Sequence, residues 1–572
     1  MYSVHVEKVK RQFLPQEFTV TEWSILEPYF KNLADRSISS LQELKHWLKD
    51  QSELEAAIDE EAAWRYIRMT CDTENKDVEE SYNYFHQHIL PQIQPYTDLL
   101  NKKLIATPYS NELDETYAVY LRNARKDIEL FREQNIPLQA ELSVLQQQHD
   151  QIVGAMTVTV NGEDYTIPQA SKFLDSPDRA LREEVYKKIQ ERRYADKEKL
   201  DELFTALVSI RQQVAVNAGF ETFRDYRFKE LGRFDYTKED CFKFHEAVKQ
   251  HVLPLVRDIY LHKKQKLGLE TLRPWDLEAE PEGIEPLVPF TDGNDLLEKS
   301  IVCMQKVSPF FGQCLETMKS MGRLDLESRK GKGPGGYNQP LLESGVPFIF
   351  MNAAGQMHDV TTMVHEGGHA VQAFLAHNLE LSRFKDYPME IAEVASMSME
   401  LFTMQYWDAF FSDPDSLTRA QLHQLERVIT LFPWIAIIDA FQHWIYEHPT
   451  HTIQERTAQW MVILAEFHEG VVEYEGLEEY RAIAWQRQLH LFIVPFYYIE
   501  YGIAQLGAIG LWMQYKQDPD TAIERYCNTL ALGSTKTLPQ LYNTAGLEFD
   551  FSPERIKVLM DFVTAEMKKL IK

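Results

Sequence analysis

Cysteine is scarce in this chain. Five thiols, Cys71, Cys241, Cys303, Cys314 and Cys527, are scattered over 572 residues, and no two stand as Cys-x-x-Cys. An odd, dispersed set indicates neither a disulfide framework nor a cysteine zinc site. Basic residues are in deficit, 60 against 87 acidic ones, for a formal net charge of −27. Nucleic acid and anionic membranes both reward basic patches, so neither is expected as a partner. The acidity is read as a solubility device. The N-terminal Met-Tyr-Ser-Val-His-Val-Glu-Lys-Val-Lys carries no apolar stretch of signal-peptide length. Long apolar runs are few. Residues 490–512 contain Pro495, Glu500 and three tyrosines, and residues 428–446 surround Asp439. Both fit helices buried in a large protein better than membrane spans. Internal repeats and low-complexity tails are absent, and a cytoplasmic protein is expected.

Hydrophobic residues make up 44% and charged residues 26%, ordinary values for a globular protein whose length allows a large core and several domains. Apolar positions recur at three-to-four spacing over 39–68, 78–105, 112–150, 179–219 and 238–268, which predicts helices there. Two segments differ. Met156–Ile167 alternates around Asn161-Gly162, a hairpin signal. Gly331-Lys-Gly-Pro-Gly-Gly336 precedes the strand-like Val346–Met351. It lacks the Gly-Lys-Ser/Thr ending of a phosphate loop and precedes a strand, so a flexible loop beside an edge strand is expected. That strand, if exposed, could hold an extended peptide by strand addition. The Pro- and Glu-rich stretch 269–292 reads as a surface excursion or boundary.

Chemistry concentrates in about thirty residues. His365-Glu366-Gly-Gly-His369 is followed 24 positions later by Glu393 in Glu-Val-Ala-Ser. On a helix His365 and His369 share a face, one turn apart, and can converge on one ion. Two imidazoles and a carboxylate leave a tetrahedral zinc one open position, the catalytic arrangement, with Glu366 within reach of a water there. Gly367 and Gly368 each cost a helix roughly 1 kcal/mol against alanine, so something is expected to approach that backbone closely, a substrate or a neighbouring strand. Glu390 rivals Glu393 as third ligand, and the Glu-x-x-Ser context favours Glu393. Asp359 suits either a ligand-orienting carboxylate or a helix N-cap. Glu400 shares a face with Glu393 and is read as an exposed helix glutamate, with a ligand-holding role as the alternative. His443, His448 and His451 are read as structural or surface residues.

The metal motif, the placement of Glu393 and the tyrosine-rich segment after His490 resemble the M3 metallopeptidases, most of all their oligoendopeptidase F and Pz-peptidase branch. Asn161–Ile167, Leu174–Tyr186, Arg211–Phe220 and Asp225-Tyr226 resemble blocks of that branch, and the likeness runs over about residues 110–560. It implies a mostly α, two-lobed clamshell enclosing a substrate channel, with a small β element beside the metal helix. An N-terminal helical region (1–200, with the hairpin near 156–167) would precede a catalytic region (201–572). One Zn2+ per chain would be held by His365, His369 and Glu393. Glu366 would serve as general base toward a metal-activated water, and short unstructured peptides would be the substrates. His490 matches the family histidine. Tyr497 and Tyr501, four apart and so on one helix face, are the expected oxyanion donors, with Tyr498 the alternative because Ala504 departs from the related pattern. An endopeptidase is the leading reading. A dipeptidyl carboxypeptidase and a non-catalytic peptide binder are the competing ones.

Overall fold

The computed structural model describes Val4 and residues 10–571. Its chain is mostly helical, and the helix breaks follow proline chemistry. The periodic stretch 78–105 is interrupted by a π-turn at Phe85–Ile89 just ahead of Pro91, and 238–268 by another at Val248–Val252 ahead of Pro254. Proline has no N–H to give the preceding turn and its ring crowds that turn's carbonyl, so the helix widens by one residue and continues. The stretch 112–150 divides at Phe131–Asn135, with Pro137 opening Ile136–Gly154, and 179–219 divides at Asp196.

Two cores organise the molecule. One is built from residues of the first 124 positions, including Leu26, Phe30, Trp47, Leu54, Phe85 and Leu104, and is joined by Leu381 and Phe384. The larger runs from Leu130 to Met567 and already contains Leu200, Phe204 and Leu207 of the helix Lys197–Asn217. A satellite cluster of Val158, Val160, Val185 and Ile189 packs the hairpin of β1 (Thr157–Val160) and β2 (Glu163–Thr166) on the helix Arg179–Ala195. Asn161 (φ 53°) and Gly162 (φ 87°) form its turn, both in the left-handed region that such hairpins require.

The second sheet orders β3 (Leu324–Glu327), β5 (Phe348–Ala353) and β4 (Tyr337–Gln339), with β5 central, parallel to β3 and antiparallel to β4. This corrects the expectation that 346–351 is an open strand. Phe348, Ile349, Phe350 and Met351 are buried, Ile349 and Phe350 are paired on both sides, and the outer strands are β3 and β4, the latter directly after the glycine-rich loop. Nor is that loop loose. Lys332 is 3% exposed and its ammonium donates to the carbonyls of Asp325, Glu327 and Met351 and to the Asp325 carboxylate. Gly333 N–H donates to Thr70 O at 2.7 Å, tying the loop to the end of the helix Leu41–Cys71. Backbone carbonyls alone would not have marked this loop as rigid; the buried lysine does it.

Four helices carry the site. The motif helix is Met357–Ala376, the glutamate helix Met389–Thr403, the long helix Pro414–Glu447 and the tyrosine helix Ile499–Tyr515. Residues 390–403 are all buried, as expected for a helix apolar nearly all round and enclosed by neighbours. A Cβ on Gly368 would lie 2.6 Å from Ala395 O and Ser396 Cα, and one on Gly367 would lie 2.7 Å from Met304 Sδ. The close approach is therefore to the glutamate helix and a methionine, and not to substrate or strand as expected. The long helix is apolar and long enough to cross a membrane by composition, yet 72% of its most apolar stretch is buried inside the protein. The apolar segment 490–512 is not one helix. Leu489–Ile493 ends, the chain turns through Pro495 and Phe496 (φ 65°), and the tyrosine helix begins at Ile499.

Candidate metal centre

The motif helix aims His365 and His369 at one point, their ring centroids 5.1 Å apart. The glutamate helix brings Glu393 to the same point: its Oε2 lies 3.2 Å from His365 Nε2 and 3.6 Å from His369 Nε2. The three ligand atoms lie within 4.8 Å of one another. Glu390 lies away from them and accepts from the Tyr236 hydroxyl at 2.7 Å. Behind the cluster, Glu400 is buried with an oxygen 2.7 Å from His365 Nδ1, contrary to its reading as an exposed glutamate. Gln424 donates to the other Glu400 oxygen at 2.8 Å, and Thr361 donates to Gln424 at 3.0 Å. With its Nδ1–H held by a carboxylate, His365 presents the Nε2 lone pair forward. The spacing of Glu400 from Glu393 signalled the shared face; nothing local signalled Gln424 or Thr361. Asp359 does not reach the histidines. Its carboxylate accepts from the N–H groups of Ala354, Gly355 and Gln356 at 2.8–2.9 Å, closing the start of the motif helix from its third position.

The electrostatics suit a cation. Burial would raise the Glu393 carboxyl, but the His369 and His365 imidazoles and the Tyr497 hydroxyl hold it down at about 2. Burial lowers His369 to about 4, leaving it neutral at ordinary pH with a lone pair to give. Burial opposes charge on His365, and Glu393 and Glu400 outweigh it. A buried pair of carboxylates around an imidazole favours positive charge between them, so the donor set fits a divalent metal. Glu366 is buried, its Oε2 has no hydrogen-bond partner, and burial raises its carboxyl to about 8. A Cβ on Gly336, just before β4, would stand in ordinary contact, 3.7 Å from Glu366 Oε1.

The aromatic segment arrives from the opposite wall. The Tyr497 hydroxyl donates to Glu393 Oε1, so it holds the carboxylate and is not free as the oxyanion donor expected from the sequence. Nor do Tyr497 and Tyr501 share a helix, since Tyr497 precedes the tyrosine helix, although their rings still meet at 5.3 Å. Around Tyr501 the hydrogen-bond directions are fixed by Trp434, whose indole N–H can only donate. It donates to Gln488 Oε1 at 2.9 Å, so the Gln488 amide nitrogen faces His490 Nδ1, 2.7 Å away. Nδ1 then accepts, Nε2 carries the hydrogen, and Nε2–H donates to the Tyr501 oxygen at 3.1 Å. Burial lowers His490 to about 4 and raises the Tyr501 phenol well above its usual range, so both are neutral and the Tyr501 O–H is free to donate. The Tyr498 ring lies tilted against His490, centroids 5.0 Å apart, without entering the wall of the metal cavity.

His365, Glu366, His369, Glu393, Tyr497 and Tyr501 share the wall of a cavity of about 570 Å³ with Gly336, Tyr337 and Asn338 at the β4 end. Further cavities of about 650 and 560 Å³ lie beyond, sharing Trp434 and Arg487. A helix-borne His-Glu-x-x-His, completed by a glutamate from the next helix and set in an interior cavity, defines a metallopeptidase. The chain belongs to peptidase family M3: the model described as Peptidase family M3 matches residues 172–558, and that of the Peptidase M3 N-terminal domain matches 13–131. An oligoendopeptidase F homolog from Borreliella burgdorferi is 20% identical over 533 residues, covering 88% of this chain and 87% of that protein. Oligopeptidase PepF of Bacillus subtilis is 24% identical over 54% of this chain and 46% of its own length. Among solved structures, Pz peptidase A with an inhibitor superposes with a TM-score of 0.92 at 25% identity, over 97% of this chain and 99% of that one.

Proposed function

We propose that this M3 peptidase is a zinc-dependent endopeptidase that cuts internal bonds of short oligopeptides with Glu366 as general base. The observation that carries the reading is the convergence of His365, His369 and Glu393 beside the unpartnered Glu366 oxygen, inside a cavity. Zinc held by those three residues supplies positive charge that polarises a carbonyl and acidifies a water. Glu366 takes a proton from the attacking water at Oε2 and returns it to the departing amine nitrogen, so one water is consumed per bond broken. Tyr501 O–H, aligned by His490, donates to the carbonyl oxygen as negative charge develops there. Glu400 and Tyr497 hold His365 and Glu393 in position. The free edge of β4 supports an extended peptide by strand pairing, which lays its carbonyls along the Glu366 side. Enclosure in cavities of a few hundred cubic ångströms favours short unstructured chains over folded proteins. The names of the relatives, oligoendopeptidase and oligopeptidase, support the same substrate class.

The test is digestion of a mixed peptide library, free and C-terminally amidated, with cleavage sites mapped by mass spectrometry. Internal cleavage of both forms, abolished by chelator and restored by Zn2+, is expected. Release of C-terminal dipeptides from the free peptides only would replace the endopeptidase with a dipeptidyl carboxypeptidase.

A further inference from the structure

A second convergence of metal-binding side chains lies away from the residues that line the metal cavity. The helix Lys238–Ala247 carries Cys241 and His245 one turn apart, and the long helix carries Asp439 and His443 one turn apart. The two helices pack so that Cys241, Asp439 and His443 bring a sulfur, a carboxylate oxygen and a ring nitrogen within 4.8 Å of one another. Cys241 and Asp439 are 0% exposed and His443 2%. Buried polar groups are ordinarily satisfied by hydrogen bonds, and here several are not. Asp439 Oδ2 meets His245 Nε2 at 2.8 Å, whereas Asp439 Oδ1 has no partner. His443 Nε2 lies 3.3 Å from Asp439 Oδ2, but neither of its ring nitrogens makes a hydrogen bond. Of the nearby cations, Arg224 pairs with Glu447 and Asp225, and Arg233 pairs through one nitrogen with Glu500 at 2.8 Å while its other two guanidinium nitrogens have no partner. Unpaired buried donors and acceptors of this kind are costly, and a coordinated ion would satisfy them together.

We propose that Cys241, Asp439 and His443 form a second, buried site for a borderline divalent cation of the Zn2+ class, with His245 holding the Asp439 carboxylate from behind. A thiolate, a carboxylate and an imidazole are the donor types that zinc combines, and the histidine–carboxylate contact is the usual support for such ligands. A thiolate and a carboxylate together neutralise a dication, so the ion brings no net charge of its own into this buried surround. That surround is aromatic, with the rings of Phe242 and Phe496 at 4.8 and 5.4 Å from His443. The metal-binding form of cysteine is the thiolate, so the Cys241 thiol gives up its proton on binding. Forming the sulfur–metal bond therefore expels one proton to solvent per ion bound, with no change of oxidation state. The ion would clamp the helix Lys238–Ala247 to the long helix, a structural role with no part in hydrolysis.

Cobalt reports the site, because thiolate–Co2+ bonds absorb in the near ultraviolet and nitrogen–oxygen sites do not. Protein stripped by chelator and reloaded with Co2+ should take two equivalents per chain and show that absorption. His365→Ala/His369→Ala, which removes the motif's histidines, should retain one equivalent and the full band. Cys241→Ala should lose the band and one equivalent while keeping its zinc-dependent peptidase activity. A wild-type protein that takes a single equivalent without the thiolate band overturns the proposal, and so does a band that survives Cys241→Ala. The wild-type and double-histidine measurements decide the matter even if Cys241→Ala fails to fold.

Discussion

Glu366 stands one residue beyond His365 and keeps an oxygen without a partner, so its substitution separates proton transfer from metal binding. Glu366→Gln preserves shape and the three ligands, and turnover should fall at least about 100-fold at unchanged metal content, read by steady-state kinetics and elemental analysis. Burial, reinforced by Glu393 and Glu400, raises the Glu366 carboxyl to about 8, and a metal cation on its neighbours pulls it down. Because the base acts deprotonated, kcat/KM should fall as pH drops through that lowered value, giving an acid limb with its midpoint below about 8. A profile that rises toward acid would remove Glu366 from the role. Glu400→Gln should weaken metal affinity about 10- to 100-fold by loosening His365, while Glu390→Gln, whose contact is with Tyr236, should leave it unchanged. The two tyrosines should part company. Tyr501→Phe is expected to cost roughly 100- to 1,000-fold in kcat with little change in KM, because a hydroxyl that bonds only developing charge serves the transition state. Tyr497→Phe, which releases Glu393, should show first as easier loss of metal, and Tyr498→Phe should be mild. Equal kcat losses without metal loss in all three would contradict the assignment of Tyr497 to the ligand.

At the scale of elements, the site depends on how closely two helices touch. Gly368 sits where the motif helix meets the backbone of the glutamate helix at Ala395 and Ser396, and backbone cannot step aside as a side chain can. Gly368→Ala should destabilise the protein by about 1–3 kcal/mol and displace Glu393 from the histidines, lowering the melting temperature and the metal content together. Gly367→Ala faces only the flexible end of Met304 and should be the milder variant on both readouts. A Gly368→Ala protein with wild-type metal content would show that the helix contact is not what sets ligand geometry. The tyrosine segment makes the same point. Tyr497 reaches Glu393 because the chain turns at Pro495 and Phe496, not because four residues complete a helical turn.

Across the whole molecule the dominant quantity is a net charge of −27. A field of that sign concentrates cationic peptides near the surface and is screened over about 10 Å at 0.1 M salt. The kcat/KM for a lysine-rich quenched fluorescent peptide should therefore fall as ionic strength rises from about 0.01 to 1 M, while that for a neutral peptide of the same length stays nearly level. Parallel salt responses for the two peptides would show that the acidity acts only in solubility.

The sequence by itself determined the helical class, the hairpin at Asn161-Gly162, and the grouping of His365, Glu366 and His369, because these depend on neighbours within a turn of helix or hairpin. Glu393 was legible through its local context, at the limit of what spacing can carry. The glutamate helix then had to be pressed against the motif helix before His365, His369 and Glu393 could meet, and that contact belongs to the tertiary structure. So do the hold of Glu400 on His365, the chain from Trp434 through Gln488 and His490 to Tyr501, and the buried lysine that stiffens the glycine-rich loop. The decisive contacts among them join residues 11 to 54 positions apart, too far for any periodicity to register. The sheet edges likewise fell to β3 and β4 and not to β5, because a strand's neighbours are chosen by the folded chain and not by its own composition.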